Sequence, residues 1–493
     1  MRRGKRLAAG LLLACIAVTV TGCAPSGSPA ESTSRYRHVE STFTTERAPQ
    51  SDEWFTVQGG LSIPRALESQ EPLPLLAGQG TDGEVITVDL SARCQTIEGF
   101  GCSFEGTTVS NLLRLPEEER RAVVKALVDP EEGAGMNLWR ICFGSSDFVD
   151  TEKFGFYSYS EEEDFTLSNF SIQKDIDYGI IDILKLAQEY NPEIRFFASP
   201  WSPPGWMKTS GSMIGGTLRR DCYEVAARYY AKAVEAYQAL GIPITAFTLQ
   251  NECGVTPEKY PGCLFSPADQ AAFVQEVRRA FDSVGLTTRI FCLDHNFDMT
   301  LSWIYGFWSD PAAYAACDGT AYHNYNGSSA YAQAMHEAAP DKAIWMTEHS
   351  EWGVEGVNNI IGYLRNWCST YNAWVTMIDT QNGPQCGAFY CNPTLVIKDA
   401  ASDSGYWYTP EYYLLAQFSK FIPAGAVRVE SSPGSTDTVT NVAFENPDGS
   451  VVLVVANATG RQQTFTVNLP QDGTHFTAAL PAATVGTFVV RPA

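Results

Sequence analysis

The run Ile244-Thr245-Ala246-Phe247-Thr248-Leu249-Gln250-Asn251-Glu252 is a largely apolar strand that ends in two amides and a carboxylate. A second run, Ala343-Ile344-Trp345-Met346-Thr347-Glu348, also ends in a glutamate, 96 residues further on. That interval holds three βα units of ordinary length, so Glu252 and Glu348 are expected to end the fourth and seventh strands of an eight-stranded parallel barrel. Residues at those strand ends line the face of the barrel where active sites are built.

Working outward, the other apolar runs fit the same count: Ile97 to Gly101, Met136 to Phe143, Ile194 to Ala198, Thr288 to Leu293, Gly319 to His323 and Ala373 to Ile378. Amphipathic stretches such as Pro116 to Val128, Ile176 to Glu189, Tyr223 to Leu240 and Pro267 to Val284 lie between runs and suit outer helices. Strands alternating with helices predict a parallel sheet. The expected fold is therefore α/β, a (β/α)8 barrel over residues 93–423. After Ala424 the pattern changes to short alternating strands, with Asn446-Pro447-Asp448-Gly449 as a hairpin turn. Residues 424–493 read as an all-β sandwich, completed by residues 53–92, where Glu84 to Leu90 alternates with period two. The small domain would then be built from both chain ends.

Residues 1–23 read as an export signal: a basic start at Arg2, Arg3, Lys5 and Arg6, an apolar run from Leu7 to Val20, then Val20-Thr21-Gly22-Cys23. The apolar run is shorter than the roughly 20 residues needed to span a bilayer. A cysteine after small residues resembles a bacterial lipobox, which makes Cys23 the expected lipidation site and the chain an extracytoplasmic, lipid-anchored one. Residues 24–52, rich in Ser, Thr, Glu and Pro, read as a disordered tether.

The formal charge is −22, and removing the four basic residues of the signal takes it to −26. Such acidity argues against nucleic acid as a partner, whereas neutral sugars are indifferent to it. Cysteines such as Cys142 and Cys292 lie in apolar strands and read as buried thiols. Cys253 with Cys263, or Cys386 with Cys391, could close loops as disulfides, with the pairing left open. Six scattered histidines without H-E-x-x-H predict no metal, and no cofactor is called for. No sequence feature sets an oligomeric state.

Two carboxylates facing each other across a sugar are the machinery of glycoside hydrolysis. A glutamate after a strand is ordinarily a surface group, but Asn251 before Glu252 adds an amide able to bind a sugar hydroxyl beside the scissile carbon. A nucleophilic Glu348 would have to be ionised and an acid at Glu252 to have a raised pKa. Arg140 is the candidate cation for Glu348, with a structural ion pair inside the barrel as its alternative. Glu351, three residues beyond, is the competing carboxylate. Sugar rings stack on aromatic faces, and Ala198 to Thr209 presents Trp201 and Trp206 on a proline-stiffened loop. Trp374 and Tyr325 are further candidates, and Asp147 can grip two hydroxyls.

Several separated motifs, Ala198 to Thr209, Thr248 to Glu252, Asp164 to Ser171, Phe418 to Pro423 and Asn446 to Ser450, resemble glycoside hydrolase family 30, the glucosylceramidase-like enzymes. The resemblance runs from about Thr96 to the C-terminus. It implies a barrel flanked by a β-sandwich and hydrolysis of β-glycosides with retention, with carboxyl groups about 5 to 5.5 Å apart. It further implies Glu252 as acid/base, Glu348 as nucleophile, Asn251 beside the 2-hydroxyl, and Asp147, Trp201 and Trp374 around the terminal sugar, with Tyr260, His323 and Tyr325 matching less closely. Cys253, Asn324 and His349-Ser350 depart from the family pattern on the rim. The expected activity is that of a glucosylceramidase or β-glucosidase acting on a β-linked glycan or glycoside. A β-1,6-glucanase or β-xylosidase of the same family is the alternative within the class, and a non-catalytic surface glycan-binding lipoprotein is the alternative outside it.

Overall fold

A computed structural model describes residues 34–45, 67–386 and 395–493. The signal-like segment, Cys23 and Cys391 lie outside these residues. Eight parallel strands close into a barrel: Gly99–Phe104, Leu138–Phe143, Arg195–Pro200, Ile244–Thr248, Arg289–Asn296, Gly319–His323, Ala343–Glu348 and Thr370–Ala373. Glu252 and Glu348 follow or end the fourth and seventh of these, as the spacing predicts. The eighth strand is displaced from its expected place at Ala373 to Ile378. It ends at Ala373, and Met377–Asp379 instead joins a small sheet with Val396–Lys398 and Tyr406–Tyr408. The stretch expected as one helix from Ile176 to Glu189 is two, Gln173–Tyr178 and Ile180–Tyr190, broken where Gly179 takes the left-handed conformation at φ 90°.

Below the strand ends the barrel is filled, not hollow. Leu138, Phe197, Ala246, Phe291, Ala321 and Trp345 point inward from six strands and pack together, the layered interior expected of this architecture. At the far end the indole of Trp345 donates to Glu98 Oε1 at 2.8 Å, and Arg289 also pairs with Glu98. This solid floor closes the barrel beneath the C-terminal strand ends, where Glu252 and Glu348 lie.

The sandwich is built from both chain ends, but its N-terminal share begins earlier than expected. Tyr36–Thr45 is a ten-residue strand paired antiparallel with the last strand, Thr484–Pro492, so the reading of residues 24–52 as a disordered tether is corrected over this stretch. Glu84–Thr96 crosses between the two layers. Its start runs parallel to Gln463–Leu469 and its end antiparallel to Val427–Ser431. Two residues later the same chain enters the first barrel strand, so the two domains share a continuous backbone path. Cys253 and Cys263, offered as a disulfide by spacing, are separate buried thiols.

Candidate active site

Backbone irregularities at two strand ends aim the polar side chains inward. Along the fifth strand, Ala321 pairs with Leu293 and Tyr322 with His295, so Asp294 is an extra residue. Along the seventh, Tyr322 pairs with Met346 and His323 with Glu348, so Thr347 is another. Such bulges break the in–out alternation of a strand and re-aim a side chain. Leu293, Asp294 and Glu252 all have positive φ, at 67°, 54° and 47°, and the Glu252 N–H donates to the Asp294 carbonyl at 2.9 Å. The strained ends of the fourth and fifth strands thus hold each other.

Arg140, on the second strand and fully buried, organises the interior. It donates to Glu348 Oε2, to Asn251 Oδ1 at 2.8 Å, to Asp294 Oδ2 at 2.9 Å and to Ser199 Oγ at 3.0 Å. Burial opposes its charge, but Asp294 and Glu348 outweigh that and keep the guanidinium protonated. Of the two glutamates Arg140 touches Glu348, as the sequence suggested, and not Glu252. The second Glu348 oxygen accepts from Tyr325 Oη at 2.8 Å. With Asn251 Oδ1 occupied by Arg140, its amide N–H groups remain to meet a ligand.

His323 lies between the two glutamates. Its Nδ1 is 3.5 Å from Glu252 Oε1 and 3.6 Å from Glu348 Oε1, so those oxygens can be no further apart than the two distances together, about 7 Å. That bound accommodates the carboxyl separation of about 5 to 5.5 Å found in retaining enzymes. Its Nε2 meets Asp294 Oδ1 at 3.2 Å. Burial alone would neutralise His323, yet the charge of Glu348 and the contacts to Asp294 and Glu252 push it up to about 9. Burial would likewise raise Glu252, but the adjacent His323 imidazolium wins and holds it below the ordinary carboxylate range. The raised pKa expected of Glu252 is therefore absent from the ligand-free site. The sequence could not show this, because the cation arrives from another strand. Asp294 stays ionised, its burial offset first by Arg140 and then by His323.

Trp201 and Trp374 are stacked at 5.1 Å, with the Arg140 guanidinium 4.9 and 5.7 Å from their rings. Phe148 meets Trp374 edge-on, and Tyr260 packs against the same cluster. Asp147 Oδ1 has no hydrogen-bond partner among the described residues. Burial first, then the charges of Glu348 and Glu252, push the Asp147 carboxyl well up. Trp206 belongs elsewhere: its indole donates to Ser160 O and its ring packs on Phe165. Glu351 is also set aside from the site. It accepts from Tyr363 Oη, from His349 Nδ1 at 2.9 Å and from Asn359 Nδ2 at 2.8 Å, and lies buried behind the rim.

Sequence reasoning passed over Asp294 and His295, although Leu293-Asp294-His295-Asn296 closes an apolar strand with polar groups just as Gln250-Asn251-Glu252 does. It also predicted no metal, yet Glu252, His295 and His323 bring three ligand-type atoms within 4.8 Å of one another. The two histidines come from different strands and share no local motif.

The Glycosyl hydrolase family 30 TIM-barrel domain profile matches residues 97–422, and the Glycosyl hydrolase family 30 beta sandwich domain profile matches residues 425–488. An endo-1,6-β-D-glucanase of Neurospora crassa is 32% identical over 79% of this chain and 86% of its own length. The lysosomal acid glucosylceramidase of Mus musculus is 26% identical over 83% of this chain and 84% of its own. Among solved structures, an endo-β1,6-glucanase superposes with a TM-score of 0.80 at 27% identity, covering 92% of this chain and all of the other. With both domains matched in order, and two glutamates at the ends of the fourth and seventh strands, the chain belongs to glycosyl hydrolase family 30 and is a glycoside hydrolase.

Proposed function

We propose that the protein hydrolyses β-D-glucosidic bonds with retention, Glu348 acting as nucleophile and Glu252 as acid/base. The observation that carries the division of roles is the asymmetry of Arg140, which grips Glu348 and not Glu252. The ion pair to Arg140 and the bond from Tyr325 hold the Glu348 carboxylate in position for attack on the anomeric carbon. Glu252 must bring a proton to the leaving oxygen. A bound sugar would exclude water from it and strengthen the burial that already favours its neutral form, and the field of His323 opposes this until the substrate is in place. Once Glu348 is esterified its negative charge is gone, Glu252 ionises more readily, and it can take a proton from the water that opens the glycosyl-enzyme. Asn251 would meet the 2-hydroxyl, and Asp147, Trp201 and Trp374 would hold the remaining hydroxyls and face of the sugar.

The leaving group divides the readings. Glucosylceramide or a simple β-glucoside is one. A β-1,6-glucan is the other, favoured by the 32% identity to the Neurospora crassa enzyme. Export, lipidation at Cys23 and residence outside the cytoplasm are proposed from the sequence of the first 23 residues, and Cys23→Ser should release the protein from the membrane.

The test compares an aryl β-glucoside, a β-1,6-glucan and an aryl β-xyloside, following the first-formed anomer by NMR. Retention predicts the β-anomer first, and an α-anomer first would overturn the double displacement. Glu252→Ala should lose activity on poor leaving groups by roughly 10² to 10⁴-fold, and azide should restore turnover as a β-glycosyl azide. Glu348→Ala should instead give the α-azide. Binding without turnover, unchanged by Glu348→Gln, would favour a glycan-binding protein.

A further inference from the structure

We propose that Glu252, His295 and His323 form a binding site for a divalent late first-row transition ion, such as zinc, and that the bound ion switches hydrolysis off. Glu252 Oε1 lies 3.5 Å from His323 Nδ1 and 3.8 Å from His295 Nδ1, and one donor atom from each of the three residues fits within 4.8 Å. A tetrahedral ion with ligands at about 2.0 to 2.2 Å spaces them by roughly 3.3 to 3.6 Å, so small side-chain movements suffice. Both histidines are buried, at 4% and 0% exposure, and neither Nδ1 has a hydrogen-bond partner among the described residues. Two buried ring nitrogens thus face one carboxylate oxygen, and His323 Nδ1 offers its lone pair once its proton has left.

The surroundings supply the outer support such a site needs. His323 Nε2 faces Asp294 Oδ1 at 3.2 Å, a carboxylate–histidine arrangement that orients the ring and strengthens Nδ1 as a ligand. Asp294 is in turn fixed by Arg140 and by Thr248 Oγ1 at 2.6 Å. Glu348 Oε1, 3.6 Å from the same Nδ1, adds negative charge next to the ion. The Glu252 side chain is 18% exposed, so an ion can enter from the sugar side and keep water in the fourth position. Two imidazoles and one carboxylate suit zinc, copper or nickel better than magnesium or calcium, which prefer all-oxygen sites. On binding, the His323 proton leaves to solvent and the ion accepts lone pairs from two nitrogens and one oxygen, with no change of oxidation state.

Inhibition rests on the role proposed for Glu252, since an ion on its Oε1 occupies the place of the proton the leaving group needs. Binding does not depend on that role and is read by itself. Titrating the full chain with Co²⁺ should give the visible absorption bands of a four-coordinate ion, complete at one equivalent and bleached by Zn²⁺. His295→Ala and Glu252→Gln should each lose the bands while keeping the parent's circular dichroism. Should His295→Ala fail to fold, Glu252→Gln carries the test, because an amide keeps the shape and loses the charged ligand. Absence of bands in the parent, or bands equally strong in Glu252→Gln, overturns the site. Zn²⁺ should abolish turnover of the preferred glycoside in step with binding, reversibly with EDTA. Stoichiometric Co²⁺ binding with turnover unaffected by Zn²⁺ overturns the switch and leaves the hydrolytic reading intact.

Discussion

Thr347 Oγ1 donates to Asp294 Oδ1 at 2.7 Å, and each residue is the surplus member of a bulge on its own barrel strand. The bond ties two irregular strand ends together beneath the paired glutamates. Asp294 thereby accepts from Thr347, Thr248 and Arg140 and faces His323, so one buried carboxylate sets the position of groups that contact both Glu252 and Glu348.

Removing this tie should disturb catalysis more than substrate capture. Thr347→Val keeps the shape of the side chain and deletes one hydrogen bond to a charged group, worth about 1.5 to 3 kcal/mol. Its kcat should fall by roughly tenfold or more with KM little changed. Asp294→Asn, which removes one of the two carboxylates that Arg140 and His323 share, should lose more in kcat and also in Tm. Steady-state kinetics with thermal unfolding of both variants checks this, and an Asp294→Asn enzyme with parental kcat would refute it.

Tyr325 is half exposed and its hydroxyl bonds Glu348 Oε1. That bond stabilises the free carboxylate relative to its glycosyl ester, so Tyr325→Phe should slow breakdown of the intermediate. With an activated aryl glycoside, kcat and KM should fall together, by about tenfold for a bond of about 1.4 kcal/mol, while kcat/KM moves less. A rise in KM at constant kcat would instead mean that the ring serves only to bind sugar.

Glu348 and Glu351 are close in sequence but should behave oppositely. Glu351→Gln places an amide among three donors, from Tyr363, His349 and Asn359, and should lower stability by about 1 to 3 kcal/mol while turnover changes only a few-fold. Glu348→Gln should abolish turnover, whatever it costs in stability by leaving Arg140 with Asp294 as its remaining counter-charge. Urea unfolding and activity measured on the same preparations separate the two.

Glu105, just after the first barrel strand, is fully buried and accepts from Ser103 Oγ, Thr108 N and Thr108 Oγ1. Burial raises its carboxyl to about 7 against those hydrogen bonds. The folded state thus binds a proton that the unfolded chain, titrating near 4.5, has already released. Its contribution to stability is full below that value and is lost as pH rises towards and through 7. The difference in Tm between parent and Glu105→Gln should therefore shift in favour of the variant between pH 4.5 and 8. A difference constant across that window would show that Glu105 is ionised throughout.

Much of the site was legible because barrel strands end in polar groups, a one-dimensional pattern. Glu252, Glu348, Asn251 and the Arg140 partnership follow from it. The eighth strand was misplaced because Trp374 and Val375 are apolar for a different reason: Trp374 packs on Trp201 at the mouth of the site and Val375 belongs to the same cluster. Strand Tyr36–Thr45 escaped notice because it buries only scattered positions along its length and its long pairing is to Thr484–Pro492 at the other end of the chain. Local composition records neither. The lowered pKa of Glu252 was equally hidden, since it depends on a histidine two strands along.

The strand at Tyr36–Thr45 also changes how the molecule can be trimmed and how far it can reach. A form beginning at residue 52 would strip one edge from Thr484–Pro492 and leave its backbone groups open to pairing with another molecule, so aggregation is the expected fate of that truncation. Tyr36 is also the point from which any leash must be measured. If Cys23 carries the lipid proposed above, only residues 24–35 intervene, and twelve residues stretch to about 40 Å at most. The sandwich end would be held close to the lipid surface, so the enzyme could graze only on glycans that come to the envelope itself.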